Sequence, residues 1–229
     1  MATPRQHDYF VTGTDTEIGK TLVSAALMHA LAQAGHSSVG MKPVAAGAEW
    51  RDGGWHNEDV DALKAAATLT APDELVCPYL MQTPAAPHIV AEREQLTISL
   101  THIVQCYRQL SRLADAVVVE GVGGFRVPLS QQHDTADMAQ QLAVPVILVV
   151  GLRLGCINHA LLTAEAIAAR GLSLAGWVAN TVQPDMLCLE ENITALRARL
   201  PAPLLGHIPR LATADAAGAA AYLNLNFLK

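Results

Sequence analysis

No cluster of lysine or arginine occurs in this chain of 229 residues, and its formal charge is −6 at pH 7. Phosphate backbones are held mainly through basic side chains, so no nucleic-acid surface is expected. No apolar run reaches transmembrane length, and the stretch Met1–Asp8 is polar, without the apolar core of a signal peptide. The expectation is a cytoplasmic protein with no membrane partner. Cys77, Cys106, Cys156 and Cys188 are scattered without metal-type pairs, which suggests neither a zinc site nor a disulfide framework and leaves reduced, mostly buried thiols as the default. The nine histidines include no metalloprotease-type pair on one helical face.

What the chain does have is 51% hydrophobic residues in alternating segments. Strand-like runs fall at Tyr9–Thr12, Ser38–Val44, Ala116–Glu120, Val146–Val150, Ala175–Asn180 and Leu204–Ile208. Between them lie segments of helical period, such as Leu22 to Leu31 closed by Gly35 and Ile157 to Ala168 closed by Gly171. Near-continuous apolar strands alternating with helices predict a single α/β domain over residues 1–229. Its doubly wound, mostly parallel sheet is covered by helices on both faces and collects ligands at the carboxyl ends of the strands. Glu49–Glu58 reads as a looser, mobile loop, and the alanine-rich Ala212–Tyr222 as a short helix or a frayed tail.

The most informative segment is Gly13-Thr14-Asp15-Thr16-Glu17-Ile18-Gly19-Lys20-Thr21, which follows the first strand and opens the first helix. A triphosphate needs backbone N–H donors with no side chain in the way, a helix N-terminus, a cation and a hydroxyl for Mg²⁺. Gly19, Lys20 and Thr21 supply them in that order. The spacing in front of Gly19 is one residue longer than the usual G-x-x-x-x-G-K-[ST] pattern. The fold expected is therefore of the P-loop NTPase type, with bound ATP.

Three further segments fall at strand ends. Val117-Val118-Val119 runs into Glu120 and then Gly121-Val122-Gly123-Gly124, which places a carboxylate for Mg²⁺ beside a backbone open to close approach. Lys42 closes the second strand, where a cation can neutralise a transferring phosphoryl group, although an exposed strand-end lysine is the commoner meaning. Leu154-Gly155-Cys156-Ile157-Asn158 starts a helix whose free N–H groups can hold an anion.

Together these segments resemble the dethiobiotin synthetase family. The matching residues are Thr12 to Thr21, Lys42-Pro43-Val44-Ala45, Glu120 to Gly124 and Gly155-Cys156-Ile157-Asn158-His159-Ala160, with Gly176 to Asn180 and Pro201 to Gly206 extending the match. The longer spacing before Gly19 is what this family has. The resemblance implies a Mg²⁺- and ATP-dependent ligase that acts as a homodimer, with its active site near the subunit interface, on 7,8-diaminononanoate and CO₂. It implies that Lys42, Lys20 and Thr16 are catalytic and that Thr21, Asp59 and Glu120 hold Mg²⁺. Glu17, Ile18, Gly19, Lys20, Thr21 and Leu22 would wrap the phosphates, with Gly121, Val122 and Gly123 beside them. Asn180, Thr181, Pro209, Arg210 and Leu211 would line the adenine pocket. Thr16, Lys42, Ala46, Gly123, Leu154, Gly155, Cys156 and Asn158 would contact the substrate, whose carboxylate sits on the helix start at Leu154–Ile157.

Two positions depart from the family. Ala46 stands where a hydroxyl residue is common, and Asn192 stands where an aromatic contact to the substrate tail is expected. Another ligase of the same fold on a different amine or acid is the main alternative. A partitioning or septum-positioning ATPase is the other, but Thr14-Asp15-Thr16 lacks that group's extra lysine and Ala212–Lys229 has no cationic face.

Overall fold

A computed structural model describes residues 7–213 and 215–228; residues 1–6 of the polar N-terminal stretch, Ala214 and Lys229 lie outside the described residues. In chain order the elements are β1 (Tyr9–Gly13), α1 (Lys20–Gln33), β2 (Ser38–Met41), β3 (Val44–Ala46), β4 (Glu49–Arg51), β5 (Gly54–His56), α2 (Glu58–Ala66), α3 (Asp73–Val76), β6 (Tyr79–Met81) and α4 (Pro87–Arg93). They continue with α5 (Leu100–Leu113), β7 (Ala116–Glu120), α6 (Thr135–Leu142), β8 (Val146–Leu152), α7 (Cys156–Ala169), β9 (Leu174–Thr181), α8 (Leu189–Arg199), β10 (Leu204–Ile208) and α9 (Ala216–Ala220).

Six strands form one sheet in the order β10-β9-β8-β1-β7-β2, with every neighbouring pair parallel. The strands are buried along almost their whole length because both faces are covered. Alternation along β7 shows how. Val117 and Val119 pack toward the α5 and α6 side, while Ala116 and Val118 pack toward α1. On β8 and β9, Leu148, Val150 and Trp177 build a third cluster with α7 and α8. The order reverses around β1, since β7 and β8 flank it. In a sheet of this kind the crevice at that switch point, beyond the carboxyl ends, is where ligands collect.

Two differences from the sequence reading have local causes. The run Ser38–Val44 is two strands. Pro43 cannot donate to a ladder, Lys42 N–H turns to the Val76 carbonyl at 2.8 Å, and β3 leaves the main sheet to pair with β6. Glu49–Glu58 holds the β4–β5 hairpin, closed by Asp52 and Gly53 at φ 50° and 82°, with Trp50 and Trp55 edge to face at 5.4 Å. The alanine-rich segment contains α9, capped by Asp215 and buried against α1 through Ala219 and Ala220. Gly35 and Gly171 end α1 and α7 at φ 90° and 69°, as expected of helix-terminating glycines.

Candidate active site

Between β1 and α1 the chain wraps into a loop around its own backbone donors. Gly19 precedes α1 at φ 85°, where an added Cβ would stand 2.2 Å from Asn180 Nδ2, so only glycine fits on both counts. Asn180, at the end of β9, donates to the Ile18 carbonyl at 2.7 Å, and Ile18 is buried beneath the loop. Asp15 pairs with Arg153 from the loop after β8 and accepts from Thr16 N–H at 2.8 Å. Lys20 Nζ folds back onto the Asp15 carbonyl at 2.9 Å. Burial and the nearby charge of Lys42 pull the Lys20 ammonium down to about 8 against the opposing carboxylates.

The second part of the site is a charge cluster in front of this loop. Lys42 sits one residue past β2 and is only 3% exposed, so it is not a solvated strand-end lysine. Its Nζ lies 2.6 Å from Glu120 Oε1 and 2.9 Å from Asp59, and it donates to the Gly121 carbonyl at 3.2 Å. Burial acts to lower its pKa, but Glu120 and Asp59 outweigh it and the net shift is upward. Thr21 Oγ1 lies 2.6 Å from Asp59 Oδ1 and 2.9 Å from Glu120 Oε1. Burial raises the Asp59 pKa, and Lys42 and Thr21 more than reverse that, leaving it lowered. One hydroxyl and two carboxylates from α1, α2 and β7 therefore converge.

Glu120 Oε2 is buried and has no protein partner. A buried carboxylate oxygen left open is costly, and a cation or a donor on a bound ligand would satisfy it. Hard oxygen donors such as these suit Mg²⁺, which commonly takes one or two carboxylates and fills the remaining positions with water and phosphate. Among the described residues no group of three or more His, Cys, Asp or Glu forms an all-protein metal cage.

A cavity of about 730 Å³ opens over the cluster. Of the residues expected from sequence, Thr16, Glu17, Gly19, Lys20, Thr21, Lys42, Ala46, Asp59, Glu120, Val122 and Gly123 line it. Ile18, Leu22 and Gly121 lie behind this lining, with Gly121 N–H held by the Val11 carbonyl at 2.9 Å. Asn180, Thr181 and the chain after β10 carrying Pro209, Arg210 and Leu211 lie outside the lining, where Thr181 Oγ1 meets His207 Nε2 at 2.9 Å. Leu154, Gly155, Cys156 and Asn158 are outside it too. Leu154 is 93% exposed, Cys156 is buried, and Cys156 N–H already bonds to the Arg153 carbonyl at 3.0 Å. The sequence reading missed the wall formed by Pro84-Ala85-Ala86-Pro87 and by Val127. The two prolines, with Pro87 opening α4, were the available signal for a rigid entry into a helix.

The family model described as an AAA domain matches residues 7–217. A relative from Janthinobacterium sp. (strain Marseille), named ATP-dependent dethiobiotin synthetase BioD, is 60% identical over 223 residues, covering 96% of this chain and 94% of the relative. A second relative of that name, from Aromatoleum aromaticum, is 56% identical over 225 residues, covering 98% and 99% of the two chains. Among solved structures, the MinC:MinD cell division complex of Aquifex aeolicus superposes with a TM-score of 0.57 at 13% identity, over 93% of this chain and 86% of that one. A ParA family ATPase from Chlorobium tepidum gives 0.56 at 12% identity, over 90% and 86%. These two likenesses speak for the fold alone. The loop spacing, the Lys42 and Glu120 segments and near-full-length identity to both BioD relatives converge on one assignment: the chain belongs to the dethiobiotin synthetase family.

Proposed function

We propose that this protein is the ATP- and Mg²⁺-dependent ligase that converts 7,8-diaminononanoate and CO₂ to dethiobiotin, releasing ADP and phosphate. The observation that carries the reading is the meeting of buried Lys42 and Glu120 with partly exposed Asp59 and Thr21 at the lip of the phosphate loop, in a cavity roomy enough for a triphosphate end and a short aliphatic diamine. The identity to relatives named ATP-dependent dethiobiotin synthetase supports it.

The chemistry joins two anions. One substrate amine adds to CO₂ and loses a proton to give a carbamate. A carbamate oxygen takes the γ-phosphoryl group from ATP, releasing ADP. The second amine then attacks the carbamoyl carbon, the C–O bond to phosphate breaks, and the ring closes with loss of a proton. Carbamate and triphosphate repel, so positive charge placed between them lowers the barrier to phosphoryl transfer. Lys20 and Lys42 face the cavity and supply that charge, with Thr16 on the same wall. Thr21, Asp59 and Glu120 would hold Mg²⁺, which neutralises phosphate oxygens when bound. Ring closure is intramolecular and needs the second amine held near the carbamoyl carbon. The wall of Ala46, Gly123 and Pro84–Pro87 confines the diamine for that step.

The nucleobase is assigned to the region of Asn180, Thr181 and Pro209–Leu211, and the substrate carboxylate to the helix start at Leu154–Asn158. That helix start lies outside the cavity lining. A homodimer that brings a second copy over exposed Leu154, Leu162 and Leu187 would complete this end of the site. The protein is assigned to the cytoplasm, without nucleic-acid or membrane partners; no described helix is long and apolar enough to cross a membrane.

The test is ADP release with Mg²⁺, ATP and bicarbonate, with and without 7,8-diaminononanoate, alongside mass detection of dethiobiotin. Diamine-dependent turnover with product is expected. Tight ATP binding without diamine-dependent turnover would transfer the assignment to a ligase of the same fold with another substrate.

A further inference from the structure

Two walls of the cavity, the segment ending at Ala46 and the first turn of α2 with Asp59, are separated in the chain by the β4–β5 hairpin. Trp50 and Trp55 of that hairpin are exposed and meet edge to face, and no residue of its two strands is buried, so the hairpin adds little buried surface to hold its two ends in register. Besides the Lys42–Asp59 ion pair, one side chain bridges them at the hairpin's base. Asn57 Oδ1 accepts from Asp59 N–H at 3.2 Å and from Val60 N–H at 3.4 Å, while Asn57 Nδ2 donates to the Ala46 carbonyl at 3.3 Å. The first two contacts satisfy donors that a helix start leaves open. The third runs back across the base of the hairpin.

Asp59 is the second residue of α2, so the way this helix start is held decides where its carboxylate meets Thr21 and Lys42. The hairpin touches α2 elsewhere too. Arg51 and His56 both reach Asp61, at 2.9 and 3.2 Å, but those side chains are 46%, 35% and 38% exposed and solvent screens them. Neither contact bears on Asp59 or on the cavity wall at Ala46.

We infer that Asn57 is a positioning residue: by capping α2 and tying it to Ala46, it sets the Asp59 carboxylate for the cation shared with Thr21 and Glu120. The inference rests on the reading of Asp59 as a cation ligand. Asparagine is suited to both tasks because its amide carries an acceptor and a donor at once. Aspartate keeps the acceptor and loses the donor, serine offers a shorter acceptor, and alanine offers neither.

The experiment is the Mg²⁺ dependence of ADP binding, followed by calorimetry without turnover, in the parent, Asn57→Ala, Asn57→Ser, Asn57→Asp and Asp59→Asn. Ser99→Ala is the control, because Ser99 caps α5 away from the cavity. Asn57→Ala is expected to raise the Mg²⁺ concentration needed for half-maximal effect about tenfold, the usual scale for losing a side chain that orients a metal ligand. Asn57→Asp, which keeps the cap and loses the tie to Ala46, recovers part of the loss, and Asn57→Ser, with its shorter acceptor, recovers less. Ser99→Ala lowers the thermal midpoint and leaves the titration in place, which a purely structural role for Asn57 would imitate. A parent-like titration for Asn57→Ala beside a shifted one for Asp59→Asn overturns the inference and leaves Asp59 as a ligand. Parent-like titrations for both remove the ligand reading and the inference with it. Should Asn57→Ala fail to fold, Asn57→Asp decides, and a parent-like titration there overturns it.

Discussion

Two of the charge clusters among the described residues differ in the depth of their central pair. At the carboxyl ends of β2 and β7, Lys42 and Glu120 are 3% and 0% exposed and are joined by Asp59 and Lys20. At the start of α6, Arg126 and Arg170 meet Asp134 and Asp137; Arg126 is 59% exposed and the other three are partly exposed at 12–24%, so no pair there is as buried as Lys42 with Glu120, although Asp59 at 42% opens to the cavity. The second cluster is local chemistry: Asp134 and Asp137 cap each other's backbone N–H groups, and the arginines answer the resulting negative charge. Nothing local requires the first. Desolvating an ammonium and a carboxylate costs several kcal/mol per ion, which mutual attraction repays only with good geometry, and an apolar pair would pack as well there. A buried ionic cluster that also leaves Glu120 Oε2 without a partner is better explained by what binds to it than by folding.

The sharpest way to break this comparison is Lys42→Ala. If the buried cluster acts on charge that develops in the reaction, kcat falls by about 10²- to 10³-fold while ADP and ATP still bind, since the phosphate loop is untouched. Steady-state kinetics with parallel nucleotide titration reads both. The substitution also leaves Glu120 buried without its cation, so the thermal midpoint drops and added Mg²⁺ restores part of it. Turnover near that of the parent would reduce Lys42 to a structural ion pair, no different in kind from Arg170.

Next in size is Glu120→Gln. The amide keeps the shape and accepts from Thr21 but gives up the charge, so the Mg²⁺ concentration for half-maximal activity should rise by at least about tenfold, with a lower thermal midpoint because Lys42 keeps only Asp59 as an anionic partner. An unmoved Mg²⁺ titration would return Glu120 to the status of a buried strand-end acid.

The same difference in depth marks what the sequence discloses. The phosphate loop and Glu120 are legible because they stand at strand ends in an order that a triphosphate demands, whereas Lys42 at its strand end reads equally as a solvated lysine and gains its role from the family resemblance. Pro43 itself marks the break, but the apolar residues on either side of Lys42-Pro43, Val39 and Met41 before and Val44 and Ala45 after, read as one strand although they belong to different sheets. Pro84–Pro87 was not anticipated as a wall because backbone and small apolar side chains form it, with no charge or motif to flag them. The strand ends and glycine-closed helices were visible in outline, while the pairing of β3 with β6 depends on tertiary contacts that no local pattern encodes.

Ala46 offers a finer test, because it lies on the cavity wall without belonging to either cluster. Ala46→Ser would add one donor and acceptor toward the carbamate or amine. A net hydrogen bond of roughly 0.5–1.5 kcal/mol corresponds to about a two- to twelvefold lower KM for the diamine, with KM for ATP unchanged. A higher diamine KM would mean that the wall has closed around the methyl group, leaving the hydroxyl no partner.

The smallest effect is expected from the exposed cluster. Burial acts to raise the Asp137 pKa, but the Asp134 N–H and the Arg170 guanidinium outweigh it and hold the group below its ordinary value of 3.8. A carboxylate lowered in the folded state binds fewer protons there than when unfolded. Its contribution is therefore present above the ordinary value and is lost as pH falls through the folded one. Asp137→Asn should cost about 0.5–1 kcal/mol at neutral pH, the range for a partly exposed pair and a helix cap. Thermal midpoints of parent and variant should then converge as pH falls below the ordinary carboxylate value and through the lowered folded one. Activity should be unchanged, since Asp137 is not part of the cavity lining. A loss of turnover in Asp137→Asn as large as that in Lys42→Ala would mean that depth does not separate the two clusters, and that the α6 start also belongs to the site.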